Sequence, residues 1–560
     1  MAVIQAQPAE TSTQAGQPSS PSQESSTTTL STESSTSQNN VPKLAASHDE
    51  AALAQGNRNV KILTESDCPD VVAFSWSKSK KWRALTIIFL VQISMNLNAS
   101  LYANAQSGIM KEFHVSAMAA VTGAAVFLIM YAFGCELWAP WSEEFGRKLV
   151  LQSSLFLVNT MCFPVVFAKR TRSFLAIIIG RAFGGLFSAG GSVTLGVVAD
   201  MFQMVHQEEP LAFIVLSSVG GSIIGPIIGG FVEDGLDWTW AIWIQLIVGG
   251  FVQLLHLFFV PETRSSVLLD RHAKKLRKSK LNETGEKINV FGPTETMTWR
   301  EYLVPKELWS LWMRPFRMFA TEPIVSILST LSGFSDALIF MQIQSLGRVF
   351  KLWGFTTVQI GLAFIPIGIA YIIGYLSFMP VISRNRRLRA EFPGGEHAQY
   401  ESRLWWLLYT APLLPIGLLI FAWTSTPQVH WVAPMIGCLL IGVANYTIYM
   451  TTIDYMVASY GPYSASATGG NGFARDFLAG CLTWAAGPYY DAFSFPYGLQ
   501  VANTILAAIS LVLVVATVLI YIKGPSMRKR SAFAQSLKES ITTSIETVLP
   551  EPTTAETPTV

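Results

Sequence analysis

Twelve apolar runs, each long enough to cross a bilayer as a helix, dominate the sequence. They cover residues 82–103, 118–138, 149–167, 173–198, 211–232 and 240–260, then 320–345, 356–381, 404–424, 432–454, 464–489 and 497–522. Inside hydrocarbon every backbone N–H and C=O needs an internal partner, so a spanning segment is a helix or part of a closed barrel. These runs are continuously apolar rather than alternating, which selects helices. Six runs, a hydrophilic break and six more is the pattern of a duplicated transporter. The expected fold is an all-α membrane protein of 12 transmembrane helices in two pseudo-symmetric halves, 82–260 and 318–522. A central loop at 261–317 joins the halves. Polar tails flank them, a disordered Ser/Thr-rich one at 1–81 and a second at 523–560.

Composition narrows the function classes. Only 14% of the 560 residues are charged and mean hydropathy is +0.38, against about 25% charged in soluble domains. An ordinary soluble enzyme is excluded. The net charge of +2 averages segments that never meet, so it indicates no nucleic-acid partner. Cys68, Cys135, Cys162, Cys438 and Cys481 show neither metal spacing nor a disulfide framework, and they read as small buried hydrophobes. No Walker loop is present to power transport with ATP, and no metal or other cofactor is implied. His256 reads as a helix-packing residue. Sequons at Asn98, Asn282 and Asn445 fall in membrane runs or the central loop, so none is expected to carry a glycan. No removable signal peptide is recognisable, which leaves the first helix as the targeting signal.

Orientation follows from lysine and arginine in the short flanking loops. With both termini inside, the cytoplasmic segments hold Lys78, Lys80, Lys81 and Arg83; Arg147 and Lys148; the run from Arg264 to Lys280; Arg384, Arg386, Arg387 and Arg389; and Lys523, Arg528, Lys529 and Arg530. Lys169, Arg170 and Arg172, between helices 3 and 4, are the exception. Residues 268–280 place apolar and basic side chains on opposite helical faces, which suits the anionic inner leaflet.

Between helices 2 and 3 lies a turn with an acid, a glycine and two basic residues: Glu143, Gly146, Arg147 and Lys148. It resembles the signature loop of the major facilitator superfamily, G-x-x-x-D-R-x-G-R-R/K, with Ala139 in place of the first glycine and Glu144 in place of a basic residue. Gly146 permits the turn, Glu143 can face a helix N-terminus, and Arg147 can pair with Asp200 at the end of helix 4. The resemblance implies a latch at the inner edge that holds the outward-facing state. A generic basic loop is the alternative.

On helix 5, Ser217, Gly221, Gly225 and Gly229 recur every four residues, so one face is bare and a neighbour can approach closely. Pro226 removes a backbone hydrogen bond and allows a bend. With Gly230 the string resembles G-x-x-x-G-P-x-x-G-G, the antiporter signature of the superfamily's drug:proton exporters. Packing alone also favours such a face.

Charged residues inside hydrocarbon are costly and need a cavity or a partner. Arg181, two turns into helix 4, resembles the arginine of the family's R-x-x-Q-G motif, with Gly184 replacing the glutamine. It either borders the proton or substrate path or is clamped by an acid such as Glu136 or Asp336. Asp336, mid helix 7, is the most central carboxylate; burial favours its neutral form and a nearby cation opposes this. It is the first candidate for carrying a proton, the alternative being a structural pair with Arg475. Asn96, Asn98 and Tyr102 on helix 1, Gln342 and Gln344 on helix 7, Asn445 and Tyr449 on helix 10, and Asn471 on helix 11 are candidates for lining a cavity or for joining helices.

Pro261-Glu262-Thr263 with the Lys-rich segment after it, the segment from Tyr460 to Ala467 with Arg475, and Arg528 to Ser531 look like fungal members of the twelve-helix drug:proton antiporter family, over residues 82–537. That resemblance implies proton-coupled efflux of drugs, polyamines, toxins or secondary metabolites by a monomer. Its partners are the lipid bilayer, a small-molecule cargo and protons, and its place is the plasma membrane, with the vacuolar membrane as alternative. An outside proton would bind Asp336 and displace its attraction to Arg181 or Arg475. The rivals are a proton-coupled importer of a nutrient or organic acid, and a membrane sensor that signals through its tail.

Overall fold

The computed structural model describes residues 61–531, 533 and 535, apart from 204–205, 285–288, 296–304, 393–394 and 494–496. Most of both tails lies outside the described residues. Eleven described helices are long and apolar enough to cross a membrane: helix 1 (Lys78–Phe113), helix 2 (Ala117–Phe145), helix 3 (Arg147–Thr171), helix 4 (Phe174–Met201), helix 5 (Glu208–Gly235), helix 6 (Thr239–Phe259), helix 7 (Pro323–Trp353), helix 8 (Thr357–Glu391), helix 9 (Glu401–Thr424), helix 10 (Val432–Tyr460) and helix 12 (Gly498–Arg530). Helix 11 (Ser464–Ala492) has the length, at 29 residues, but falls short in apolarity because it carries buried Asn471, Arg475 and Asp476. The expected all-helical twelve-helix fold is therefore met, with one helix polar on its inner face.

Several helices run beyond their apolar stretch at one end of the bundle. Helix 8 continues through Arg384, Arg386, Arg387 and Arg389 to Glu391, and helix 12 reaches Arg530. Cations stabilise helix C-termini by interacting with the macrodipole, so these basic residues extend the helices instead of forming loops. The turn expected at 139–148 is likewise shorter than anticipated. Helix 2 runs to Phe145, helix 3 starts at Arg147, and Gly146 alone reverses the chain at φ 94°. Helix 4 is interrupted by a short 3-10 segment at Ala189–Ser192, where a side chain on Gly190 or Gly191 would strike Ser154 or Gln92. Phe251, Leu254 and Phe258 on helix 6 and Leu511, Val512 and Ile522 on helix 12 are exposed, as a lipid-facing surface requires.

Small residues set the closest helix approaches. On helix 5, Gly221, Gly225 and Gly229 meet Asn96, Ser100 and Asn104 of helix 1 in sequence, so a Cβ at any of them would collide. Gly230 faces Gly361 of helix 8 in the other half. Helix 2 and helix 11 form the second seam between halves, where Gly480 abuts Ile129 and Phe133 packs edge-on to Phe473 at 5.2 Å.

The basic end of the bundle carries a clip that the tail's composition did not suggest. Strand β1 (Lys61–Ile62) pairs in parallel with β2 (Val290–Phe291), and Leu63 buries against Leu269 and Ala273 of the helix Ser265–Thr284. The apolar face expected to lie on lipid is therefore covered by the chain's own N-terminal segment, and residues 61–81 are ordered. Behind the strands, Arg277 pairs with Glu295 and holds that carboxyl below its usual range. A second amphipathic helix, Pro305–Thr321, leads into helix 7. A depressed folded-state pKa contributes stability that is present above the ordinary value of 4.5 and lost as pH falls through the depressed one. The amide of Leu63, bonded to the Phe291 carbonyl at 2.9 Å, is expected to lose exchange protection, corrected for intrinsic rate, as pH falls below the ordinary carboxyl value of 4.5. In Glu295→Gln that protection is expected to be weaker at neutral pH and insensitive to acid over the same range.

Candidate functional site

A cavity of about 450 Å³ opens at the basic end. Its mouth is lined by Glu143, Arg147, Asp200, Arg264 and Thr468, and it narrows inward to Gln92, Tyr131, Ser218, Tyr449, Asn471 and Arg475. Helices 1, 2, 4 and 5 of the first half thus face helices 10 and 11 of the second across it.

At the inner end Arg475 of helix 11 is held between two acids. Its guanidinium donates to both carboxylate oxygens of Asp476 at 3.2–3.4 Å, and its Nε lies 3.8 Å from Asp336 Oδ2 on helix 7. Its carbon stands 4.4 Å from the ring centre of Tyr449, and Cys135 Sγ of helix 2 lies 3.9 Å from Asp476. All of these groups are buried. Two carboxylates therefore face one cation, and a proton on either acid changes which of them holds Arg475.

Arg181 is elsewhere. Its guanidinium donates to the Asn98 carbonyl at 2.8 Å, the Asn98 side chain at 3.3 Å and the Gly123 carbonyl at 3.2 Å. It stacks on Phe127 and Tyr102 at 4.0 and 4.4 Å. Neither Glu136 nor Asp336 pairs with it, so carbonyl dipoles and aromatic faces take the role assigned to an acid. Arg181 and Asp336 are not brought together.

Tyr449 and Asn471 line the cavity; the other polar candidates do not. Asn96 donates to its own helix at Gln92, Asn98 holds Arg181, and Tyr102 donates to the Ala120 carbonyl. Asn445 donates to Ser335 at 3.1 Å, Gln342 lies against Cys438, and Gln344 is half-buried. Most of these side chains join helices.

At the mouth, Arg147 Nε donates to Asp200 Oδ2 at 2.9 Å, its guanidinium also bonds Ser142, and Glu143 stands 4.0 Å away. Glu262, in the Pro-Glu-Thr segment after helix 6, accepts the Arg147 and Lys148 amides at 2.9 and 3.2 Å and sits where a Gly146 side chain would be. Lys148 reaches the Leu257 carbonyl at 2.8 Å. Arg264 lies 3.7 Å from Asp200 and donates to the Glu143 carbonyl. The Arg147–Asp200 pair joins helices 3 and 4 of one half and is formed while the cavity is open beside it, so it does not bridge the halves.

The link between halves at this end comes from residues the sequence reading did not select. Glu208, in the first turn of helix 5, meets Arg389 at 2.7 Å, Arg403 at 3.2 Å and Arg386 at 3.5 Å. Arg403 also pairs with Asp454. Arg147 to Asp200 spans 53 positions and Arg403 to Asp454 spans 51, each running from the start of one helix to the second half of the next. The second pair is the counterpart of the first in the other half. That spacing was the available signal, although helix 10 continues six residues past Asp454 to Tyr460 whereas helix 4 ends at Met201.

Removing one member of a buried pair strands the other charge, at about 3–5 kcal/mol, whereas replacing both by apolar side chains is often neutral. Asp200→Asn is expected to lower the detergent-solubilised melting temperature by several degrees, and the double variant Arg147→Met/Asp200→Leu to recover most of the loss. Thermal unfolding of the purified proteins measures both.

Comparison with known proteins agrees with this architecture. Residues 88–484 match the family model described as Major Facilitator Superfamily. The MFS transporter fsa7 of a Fusarium species is 30% identical over 460 residues, covering 81% of this chain and 86% of its own. A protein of Candida maltosa named cycloheximide resistance protein is 27% identical over 516 residues, covering 89% of this chain and 90% of its own. Among solved structures, the proton:xylose symporter XylE superposes with a TM-score of 0.55 at 14% identity, covering 79% of this chain and 95% of that one, which shows the shared fold alone. The chain belongs to the Major Facilitator Superfamily and is a multi-pass membrane transporter of small-molecule cargo, similar over most of its length to fungal transporters of that superfamily.

Proposed function

We propose that this transporter exports hydrophobic or amphiphilic small molecules in exchange for protons, by alternating access. The basic end faces the cytoplasm, both termini lie there, and the plasma membrane is the site of action, a reading supported by the excess of lysine and arginine at that end. The observation that carries the coupling is the arrangement of Asp336, Arg475 and Asp476 at the inner end of the cavity. Lys169, the apparent breach of the charge rule, pairs with Asp237 at 2.9 Å and with Glu112 at 3.7 Å, so its positive charge is locally balanced.

The cycle follows from that geometry. In the form described, the cavity is open to the cytoplasm and cargo enters among Tyr131, Tyr449 and Asn471. After the halves rock outward, a proton from outside neutralises Asp336. Arg475 is then held by Asp476 alone, its side chain shifts, and the cargo contacts it shaped are lost. Return to the inward form lets Asp336 give its proton to cytoplasmic water and recover its attraction for Arg475. Arg147–Asp200 keeps helices 3 and 4 together as one body, while Glu208 and its arginines break and re-form as the halves rock.

The aromatic lining and the resistance named for the Candida maltosa relative support an amphiphilic cargo. In vesicles holding the purified protein, with cycloheximide as the probe, a pH gradient imposed in the exporting sense is expected to drive the compound against its concentration. Movement of cycloheximide with the proton instead establishes an importer, and the absence of any flux across a wide compound panel establishes a sensor. Asp336→Asn is expected to lose gradient-driven flux by about tenfold or more while keeping downhill exchange.

A further inference from the structure

Helix 2 carries a carboxyl that the cycle above does not use. Glu136 is 6% exposed, forms no ion pair among the described residues, and has one oxygen without a hydrogen-bond partner. It lies on the helix 2 face against helix 11. Both its oxygens stand 3.1 Å from the position a Cβ would take on Gly469, so the carboxyl group packs against backbone that only glycine leaves bare. Cys135 and Ala139 beside it, and Gly469 opposite, line the cavity. The group therefore sits in the seam between the two halves, where that seam meets the water-accessible space.

The charges on the elements packed around helix 2 are engaged elsewhere or lie at its ends. On helix 11, Arg475 is held by Asp476 and by Asp336 of helix 7, and Arg475 is six residues along from Gly469, about 9 Å. On helix 4, Arg181 is held by Asn98 and Gly123, and Asp200 by Arg147 of helix 3. Lys148 of helix 3 reaches Leu257, and Lys169 reaches Asp237; Arg170 is exposed near the same end as Lys169. Helix 1 has Lys78, Lys80, Lys81 and Arg83 at its start and Lys111 and Glu112 at its finish. On the helix Pro305–Thr321, Arg314 stacks over Tyr463 and Arg317 is exposed. Tyr131 and Cys135 are the uncharged titratable neighbours on helix 2 itself.

An ionised carboxylate taken out of water without a cation costs several kcal/mol, whereas the neutral acid costs far less. Helix 2 and helix 11 belong to different halves, so the contact that dehydrates Glu136 is one that alternating access must loosen. We propose that Glu136 is a second proton-carrying carboxyl, protonated while helices 2 and 11 close over it, as they do beside the cavity in this form, and ionised when the seam opens further at the basic end. Its proton passes to water on the basic side, and its charge then opposes reclosure. The proposal rests on the proton-coupled reading but concerns a different group, and it is read at equilibrium without cargo or gradient.

Infrared difference spectra between acid and alkaline pH test it on the intact protein. A protonated-carboxyl band assigned to Glu136 is expected in the wild type, absent in Glu136→Gln, and retained in Asp336→Asn. Spin labels at residues 144 and 465, across the seam at the basic end, report opening. Their separation is expected to increase with pH in the wild type, and in Glu136→Gln, whose amide keeps the packing on Gly469, that increase is expected to fall by half or more. Identical spectra in wild type and Glu136→Gln, or an unchanged distance response, overturns the proposal. A loss of gradient-driven flux only in Asp336→Asn, with the Glu136 band present, leaves both assignments standing. The same band with Asp336→Asn transporting normally retains Glu136 and removes Asp336 from coupling.

Discussion

A guanidinium buried at the inner end of a membrane cavity is the constraint around which the rest is arranged. Arg475 can remain there because Asp476 binds it directly and Asp336 stands 3.8 Å away. Hydrocarbon makes an unpaired charge costly, so the helices that bring these acids together, 7 and 11, must pack closely. They do so at Gly333, where a side chain would strike the helix 11 backbone at Ala474. The polarity this imposes on helix 11 is also why, among the twelve described bundle helices, it falls short of the apolarity expected of a membrane span.

The same principle, applied twice, shapes the basic end. Each half ties the start of one helix to the next helix through an arginine and an aspartate, Arg147 with Asp200 and Arg403 with Asp454. These pairs hold helix 3 to helix 4 and helix 9 to helix 10 within their own halves. Among the described residues, the ion pairs that cross between the halves here are those of Glu208, inserted from helix 5 among three arginines of helices 8 and 9. A rocking motion must break exposed or shared contacts such as these and leave the within-half pairs intact. Glu262 plays the supporting role at the first pair, since it satisfies the helix 3 amides that would otherwise be bare at the turn.

Much of this was legible in the sequence, for physical reasons that differ residue by residue. Apolar runs reveal membrane helices because hydrocarbon thickness fixes their length. The helix 5 glycines announce a close approach because only a bare face allows one, and the face indeed meets helix 1. Asp200 could be paired with Arg147 because both flank short loops at one end. Glu208 and the partners of Arg181 were not legible. Their contacts join segments distant in sequence, and a carbonyl that solvates an arginine leaves no trace in residue identity. Asn96, Asn98 and Asn445 look alike as letters, yet they bond within a helix, hold a cation and join two helices respectively. The ordered strand at 61–62 was hidden by the polar composition of the tail around it.

In the proposed cycle, cargo and proton compete through one charge balance at Asp336, Arg475 and Asp476. The most direct measurement is proton release on cargo binding to the purified transporter in weakly buffered detergent solution. Saturating cargo is expected to release protons into solution near neutral pH, with the release abolished in Asp336→Asn. Cargo binding that is of equal affinity across the same pH range and releases no protons would contradict it.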